Sequence, residues 1–328
     1  MEIKKIDVTK CFIDDSDGFW DNFWENRDGL GASPHYADPD SASATLRNYH
    51  QALWSRKLPN GQMMKLEKGK NSDYLIWNGM RFASDSMTTS HRYIKCKTVI
   101  QQVEKQTDNY RQFVEDSLCS TYTIGGMIIF PKLRGSMNQD RGTNPMISDR
   151  WDLTLECIKR YYEQPENDNY AFNPLWKTIK RSESFFKLFV DFNGYIEFFF
   201  LQDFLDENGN IIRFIPDYFD ENGNFTKKYP VPQTAKEYLK NIEIQKEIVK
   251  KEIRGYMNLS ISNIALLHII EQHKKRWKEH PEECPAEINS MSEEEAYEGI
   301  WNCTFLNTKI PGEARAEFVK RLKKRTKK

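Results

Sequence analysis

Apolar side chains recur along this chain with two periods, and the change from one to the other organises it. Phe19, Trp20, Phe23 and Trp24 fall at helical spacing behind Asp15, Ser16 or Asp17, any of which can cap a helix. Leu46, Tyr49 or His50, and Leu53 keep that period over 46–54. A polar Pro/Ser-rich stretch, 31–45, reads as the loop between these helices, and Pro59-Asn60-Gly61 as a turn after the second. Glu2 to Val8 predicts a short strand. From Gln62 to Tyr93 the period drops to two. QMMKLEK, DYLIWNG and MRFASDS, separated by turn residues, predict an antiparallel meander. It ends in SDSMTTSHR, a cluster of hydroxyls with Asp85 and His91.

Thr98 to Leu118 reads as a strand followed by an amphipathic helix with Tyr110 and Phe113 on one side. Thr121 to Phe130 predicts a strand broken by Gly125-Gly126, and a glycine pair there marks a bulge or a close approach. Pro131 ends it. A polar loop, 134–148, leads to a helix capped by Ser148 or Asp149, with Leu155, Ile158 and Tyr162 on one face and Leu153, Cys157 and Tyr161 beside them. Phe185, Phe189 and Phe192 suit a helix that Asn193-Gly194 would end. Tyr195 to Leu205 is apolar on all sides, so helix and buried strand are both open. DENGN occurs at 206–210 and again at 220–224, predicting two hairpins. A calcium loop would need Gly where Ile211 and Phe225 stand.

After Thr234 the pattern is helical. Ile242, Val249, Ile253 and Tyr256 form a stripe, Ser260 or Ser262 caps a further helix, Ser292 with Glu295 makes a capping box, and a basic helix closes the chain. The fold class expected is α+β. A mixed or antiparallel sheet with packed helices fills 1–233, and an α-helical region occupies 234–328.

Composition adds constraints. Apolar residues are 39% and aromatics 13%, so large rings fill a core that needs few side chains. Basic and acidic groups balance at 48 each, which argues against a surface that coats nucleic acid throughout. The tail is polarised, acidic at 281–300 and basic at 320–328. Such blocks read first as solvated surface and second as a contact for phosphate or an acidic partner. Six cysteines form no CxxC pair and no Cys/His zinc spacing, so reduced thiols are expected. No basic-then-apolar leader opens the chain, and no apolar run approaches a membrane span. A soluble, cytoplasmic protein without membrane contact is the expectation.

The densest stretch is Thr121 to Tyr162. It gathers Arg134, Asn138, Arg141, Asp149, Arg150, Asp152 and Glu156. The site is expected where its loop meets the Ser84–Ser90 cluster. One chemistry is ADP-ribosyl transfer from NAD. Arg47 or Arg81 would hold the pyrophosphate, Ser84 and Ser86 would brace the ribose, and Glu156 would stabilise the positive charge as nicotinamide leaves. A second is metal-dependent nuclease or phosphotransfer chemistry. There Arg134, Arg141 and Arg150, with Asn138, hold phosphates, and Asp149, Asp152 and Glu156 bind a divalent ion or act as bases. The bland reading of those acids is a complement to the helix dipole. A third is a non-catalytic module whose aromatics and basic tail bind protein, RNA or single-stranded DNA. His50 and His91 are candidate acid–base groups. A triad of Ser84, Asp85 and His91 lacks a nucleophile elbow.

The segments LRNYHQALWSRKLPNG, FASDSMTTS, TIGGMIIFP, NQDRG, ISDRWDLTLECIKRYY and LFVDFNGYIEFFFLQDF resemble a bacterial family of uncharacterised proteins found near mobile elements and phage-related genes. The resemblance covers roughly Asp17 to Tyr256. The order Arg, Ser-x-Ser, late carboxylate is more distantly similar to ADP-ribosylating toxins of toxin–antitoxin–chaperone systems, although the usual late Glu-x-Glu is absent from the core and is matched only by Glu293 and Glu295 in an acidic helix start. What this implies is a toxin-like effector enzyme in phage defence, acting on a nucleotide or nucleic acid, with NAD as donor and an antitoxin or chaperone as partner.

Overall fold

The computed structural model describes residues 6–25, 38–69, 74–88, 93–216, 219–226 and 228–251. The segment 2–5, His91, and the helices, acidic segment and basic tail expected beyond 252 lie outside the described residues. Residues Val8–Ile253 form one compact unit, whose architecture follows.

The fold is α+β. Helices α1 (Phe19–Glu25), α2 (Pro39–Ala42) and α3 (Ala44–Trp54) precede the meander of strands β1 (Glu67–Lys68), β2 (Leu75–Trp77) and β3 (Met80–Ser86). Helices α4 (Tyr93–Gln106) and α5 (Tyr110–Thr121) come next, then strand β4 (Met127–Pro131). The sheet is antiparallel throughout, in the order β1-β2-β3-β4. β4 is buried at all five residues, and its register sets Ser84 opposite Ile129 and Asp85 opposite Ile128. β2 reaches only Phe82, paired with Leu75, so the outer part of β3 has a strand on its β4 side alone among the described residues.

Helices α6 (Met137–Thr143), α7 (Trp151–Glu163), α8 (Trp176–Arg181), α9 (Glu183–Phe186) and α10 (Phe192–Phe199) complete the core, followed by α11, described over 235–251. Aromatic rings fill the space between α3, α9 and α10. Phe189 lies 5.0 Å from Phe185, 5.2 Å from Tyr195 and 5.2 Å from Phe199, and Trp54 lies 5.1 Å from Phe199. Edge and tilted contacts at these separations suit the ring quadrupoles.

Several local expectations change. The stretch around Thr98 is helix α4, because Val99, Ile100 and Val103 at one-, three- and four-residue spacings make a buried face with Cys96, against Val231, Ala235 and Tyr238. Ala235 and Tyr238 belong to α11, so the start of that helix packs within the same unit. The loop 134–148 contains α6, which has only Met137 and Arg141 buried and so shows no apolar period. Ser148 and Asp149 do not cap α7. Their φ angles are +51° and +65°, and the cap position passes to Arg150, whose side chain makes no cap bond. Asn193-Gly194 lies inside the first turn of α10, where Asp191 accepts the Gly194 N–H at 2.8 Å. Tyr195 to Phe199 is helix, closed by Phe200 in the left-handed region. The two DENGN segments are tight turns, each closed by a single bridge, Leu205 with Ile211 and Phe219 with Phe225. Asp206 and Asp220 each accept two backbone N–H groups of their own turn.

The glycine pair lies in a 3-10 turn, Ile124–Gly126, ahead of β4 and not inside a strand, and its second member has a steric cause. A Cβ on Gly126 would stand 1.9 Å from the Thr121 carbonyl oxygen. Gly126→Ala is expected to lower stability by about 2–4 kcal/mol. Gly209→Ala, at a positive φ but with nothing within 4 Å, costs about 1 kcal/mol. Urea unfolding of the two variants measures the difference.

Candidate functional site

The loop before α7 meets the end of β3 around one buried cation. Arg141 is 1% exposed. Its Nη1 donates to Asp85 Oδ2 at 3.0 Å and to the Ser86 carbonyl at 2.6 Å. Nη2 donates to the Asp149 carbonyl at 3.1 Å, and Nε to Thr154 Oγ1 at 3.4 Å. The Asp149 carboxylate stands 3.4 Å from Nη1. One turn earlier on α6, Asn138 Nδ2 donates to the Ser84 carbonyl at 2.8 Å. Asn138 and Arg141 thus take the carbonyls of Ser84 and Ser86, alternate residues on the part of β3 that β2 leaves unpaired.

Helices α2 and α3 bring further groups. Asp38 caps α2 by accepting the Asp40 N–H at 3.0 Å. Arg47 on α3 donates to the Ser41 carbonyl on α2. One turn along α3, His50 is 1% exposed and its Nε2 lies 3.0 Å from Ser84 Oγ. The Trp54 indole N–H donates to His50 Nδ1 at 2.9 Å. Nδ1 is therefore the acceptor, the ring proton sits on Nε2, and His50 donates to Ser84. Burial pushes the His50 pKa down to about 3, so the ring is neutral. Ser84 keeps its own O–H to donate elsewhere.

Two carboxyls here, Asp85 and Asp40, have raised pKa values. Burial pushes Asp85 up to about 6, with Asp149 adding to the shift and Arg141 opposing it. Asp40 is raised well above the carboxylate range by burial and then by Asp38 and Asp85. Burial works against the charge on Arg141, but Asp85, Asp149 and Asp40 outweigh it and raise its pKa. Two acceptor atoms, Asp40 Oδ1 and Asn138 Oδ1, are buried with no hydrogen-bond partner among the described residues. Orphaned buried acceptors are uncommon and costly, about 1–3 kcal/mol each.

The other sequence-selected groups form a separate assembly. Arg150 and Asp152 are an ion pair with 1% and 0% side-chain exposure. Asp152 also accepts the Phe214 N–H at 3.1 Å, and Arg150 reaches the Pro230 carbonyl at 3.3 Å. Glu156 accepts from Arg160 Nε and Arg213 Nη2, each at 2.7 Å. Burial acts to raise the Glu156 pKa, but Arg213 and Arg160 outweigh it and lower the value. Asp152 and Glu156, four apart, share one face of α7, while Thr154 between them lies about 200° around the helix, against Arg141. The structure thus brings Ser84, Asn138 and Arg141 together, while Arg47 on α3 joins that helix to α2. It sets Asp152, Glu156 and Arg150 on a different face. Ser86 turns its hydroxyl to Thr88, contacting the carbonyl at 3.1 Å and accepting the N–H at 3.2 Å. Arg81 and Arg134 are exposed.

Sequence reasoning passed over Asp40 and Thr154. Asp40 lies in a stretch whose Pro/Ser-rich pattern predicts a loop, although Asp38-Pro39 spells a cap and a first helical position. Thr154 carried no signal of its own.

The fold and this arginine–carboxylate centre define an α+β protein with a buried, titratable polar site. Over residues 6–254 the chain matches a family of unknown function (DUF6994), and it belongs to that family. No curated protein and no solved structure matches it.

Two outcomes follow. Glu156→Gln is expected to cost about 2–4 kcal/mol at pH 7. The native carboxylate has a depressed pKa, so its stabilisation is present above the unfolded value and lost as pH falls through the folded one. The gap between variant and parent should therefore narrow below about pH 4.5, as denaturant midpoints at several pH values measure. For His50, ¹⁵N NMR should show a neutral ring protonated on Nε2 that does not titrate between about pH 5 and 8.

Proposed function

We propose that the protein is an enzyme acting on a nucleotide, with ADP-ribosyl transfer from NAD as its reaction and Asp85 as the carboxylate at the reacting sugar. The observation that carries this reading is the mismatch around Arg141. Asp40 and Asp85 are held where protonation is easy, around a cation whose donors are all directed at protein oxygens. Strongly perturbed carboxylates of this kind concentrate at functional sites. Glu156, saturated by two arginines, suits a structural role instead.

NAD supplies a glycosidic bond whose cleavage develops positive charge on the ribose. Asp85, ionised above about pH 6, is the group of the chain that stabilises such charge. The orphaned oxygens of Asp40 and Asn138 accept from ribose hydroxyls. Arg141 directs its donors to protein oxygens, so it positions Asp85. Arg47, at the α2–α3 corner, is the cation nearest in sequence to His50 and suits the pyrophosphate. The guanidinium already stands between Asp85 and Asp149, which favours this reading over a divalent-metal nuclease. No helix among the described residues is long and apolar enough to cross a membrane. With the resemblance, the proposal extends to a cytoplasmic, toxin-like effector in phage defence, with protein, RNA or single-stranded DNA as target and an antitoxin or chaperone as partner.

The full chain is incubated with adenylate-labelled NAD and candidate protein, RNA and single-stranded DNA. Nicotinamide release and transferred label are expected, rising through about pH 6 as Asp85 ionises. Asp85→Asn should lower the rate on the order of 100-fold or more at an unchanged circular dichroism spectrum. Folded Glu156→Gln should keep most of it. Absence of NAD consumption, or loss in folded Glu156→Gln with Asp85→Asn active, overturns the assignment.

A further inference from the structure

Away from this site, two cysteines far apart in sequence meet. Cys11 and Cys119 are separated by 108 positions, yet their Sγ atoms are 2.7 Å apart. The backbones beside them are joined, since Phe12 N–H donates to the Tyr122 carbonyl at 2.9 Å. Cys11, Ile13 and Phe19 form a small apolar cluster against Leu118, Cys119 and Tyr122. Both segments are thus fixed in place by contacts other than the sulfurs. Cys11 is buried and Cys119 half-buried, so a small oxidant has an approach from the Cys119 side. We propose that Cys11 and Cys119 are a reversible dithiol/disulfide pair that locks the 11–15 segment to helix α5.

The reaction balances with a peroxide as oxidant. One thiol attacks the peroxide, the O–O bond breaks, and a sulfenic acid and one water result. The second thiol attacks that sulfur, forms the S–S bond and releases the hydroxyl as a second water. Two electrons pass from the protein sulfurs to the peroxide. A small dithiol reverses the change by thiol–disulfide exchange.

What the pair secures is the support of the candidate site. Four residues after Cys11, Asp15 accepts the Ser43 hydroxyl at 2.5 Å. Ser43 follows α2 and caps α3 through the Leu46 N–H at 3.0 Å. Phe12 packs on Tyr49 of α3 with ring centroids 5.9 Å apart. The 11–15 segment therefore braces the two short helices that carry Asp40, Arg47 and His50. This link holds whether or not those residues transfer ADP-ribose, because its readout is covalent.

The full-length chain is treated with hydrogen peroxide, and disulfide-linked peptides are mapped without reduction. A Cys11–Cys119 link, removed by dithiothreitol and absent in Cys11→Ser and Cys119→Ser, is expected, while Cys96→Ser leaves it intact. The oxidised parent should melt on the order of 10 °C above the reduced form, since the bond closes a loop of about a hundred residues. Over-oxidation of separate cysteines without a link overturns the proposal. So does a retained stoichiometric zinc ion that shields both thiols, which would assign the pair, with Asp14 within 4.8 Å, to a metal instead.

Discussion

A guanidinium sealed from water sets the terms for the centre of this protein. Removing Arg141 from water carries a desolvation cost of several kcal/mol, and only close oxygen partners offset it. Those partners come from three places: the end of β3, the first turn of α7, and the residue that leads into α7. Arg141 and Asp149 bracket each other through the backbone as well, because the Asp149 N–H donates to the Arg141 carbonyl at 2.9 Å while Arg141 Nη2 donates back to the Asp149 carbonyl. That exchange turns Ser148 and Asp149 into the left-handed region. It also explains why α7 starts without a side-chain cap. The sequence offers two good capping residues there, and the arginine's demand for oxygens takes precedence over a cap contribution of about 1 kcal/mol.

Helix α7 carries a contrasting arrangement on its other face. Asp152 and Glu156 are met by Arg150, Arg160 and Arg213, and Arg160 further lies 5.0 Å from the Phe172, Phe219 and Phe225 rings. Every carboxylate in that assembly has an arginine within hydrogen-bonding distance, and the Glu156 pKa falls. Its purpose is evident from its partners, since Phe214, Ile215 and Pro230 belong to the loops that the assembly pins to α7. Around Arg141 the balance runs the other way. Asp40, Asp85 and Asp149 share one buried cation, and the carboxyl pKa values of Asp40 and Asp85 rise. Matched charge stabilises a fold, whereas buried carboxyls crowded around one cation keep their protons to higher pH.

Much of the frame was legible in the sequence. The meander of β1 to β3 follows from period-two runs and glycine turns, and α1, α3 and α7 from apolar stripes. The glycine pair was readable as a close approach, and the meeting of the 134–149 loop with Ser84 was anticipated. What escaped has physical causes. α6 has two buried residues in seven, so no apolar period announces it. The short helix α2 holds one buried proline. Which face of α7 the acids take is set by Arg213, more than fifty positions away, and nothing local encodes that. The sulfur pair is likewise invisible along the chain, where Cys11 and Cys119 show no motif spacing. In the sequence Glu156 stands as the best-placed late carboxylate after an arginine and Ser84-Asp85-Ser86. Its two arginine partners are tertiary facts.

The Ser84–His50 contact carries a further distinction that distance alone would miss. A serine 3.0 Å from a histidine resembles a nucleophile with its base. Here the tautomer forbids that role. Trp54 gives its only proton to Nδ1, so Nε2 must bear the imidazole hydrogen and point it at the serine oxygen. Burial also holds His50 neutral. Reversing the tautomer would set two N–H donors against each other inside the core, an arrangement that leaves both unsatisfied. His50 therefore fixes Ser84 as an acceptor of its Nε2–H, with one lone pair of the serine oxygen occupied and the hydroxyl proton left to donate elsewhere. A serine held that way is poorly suited to forming a covalent bond through its oxygen.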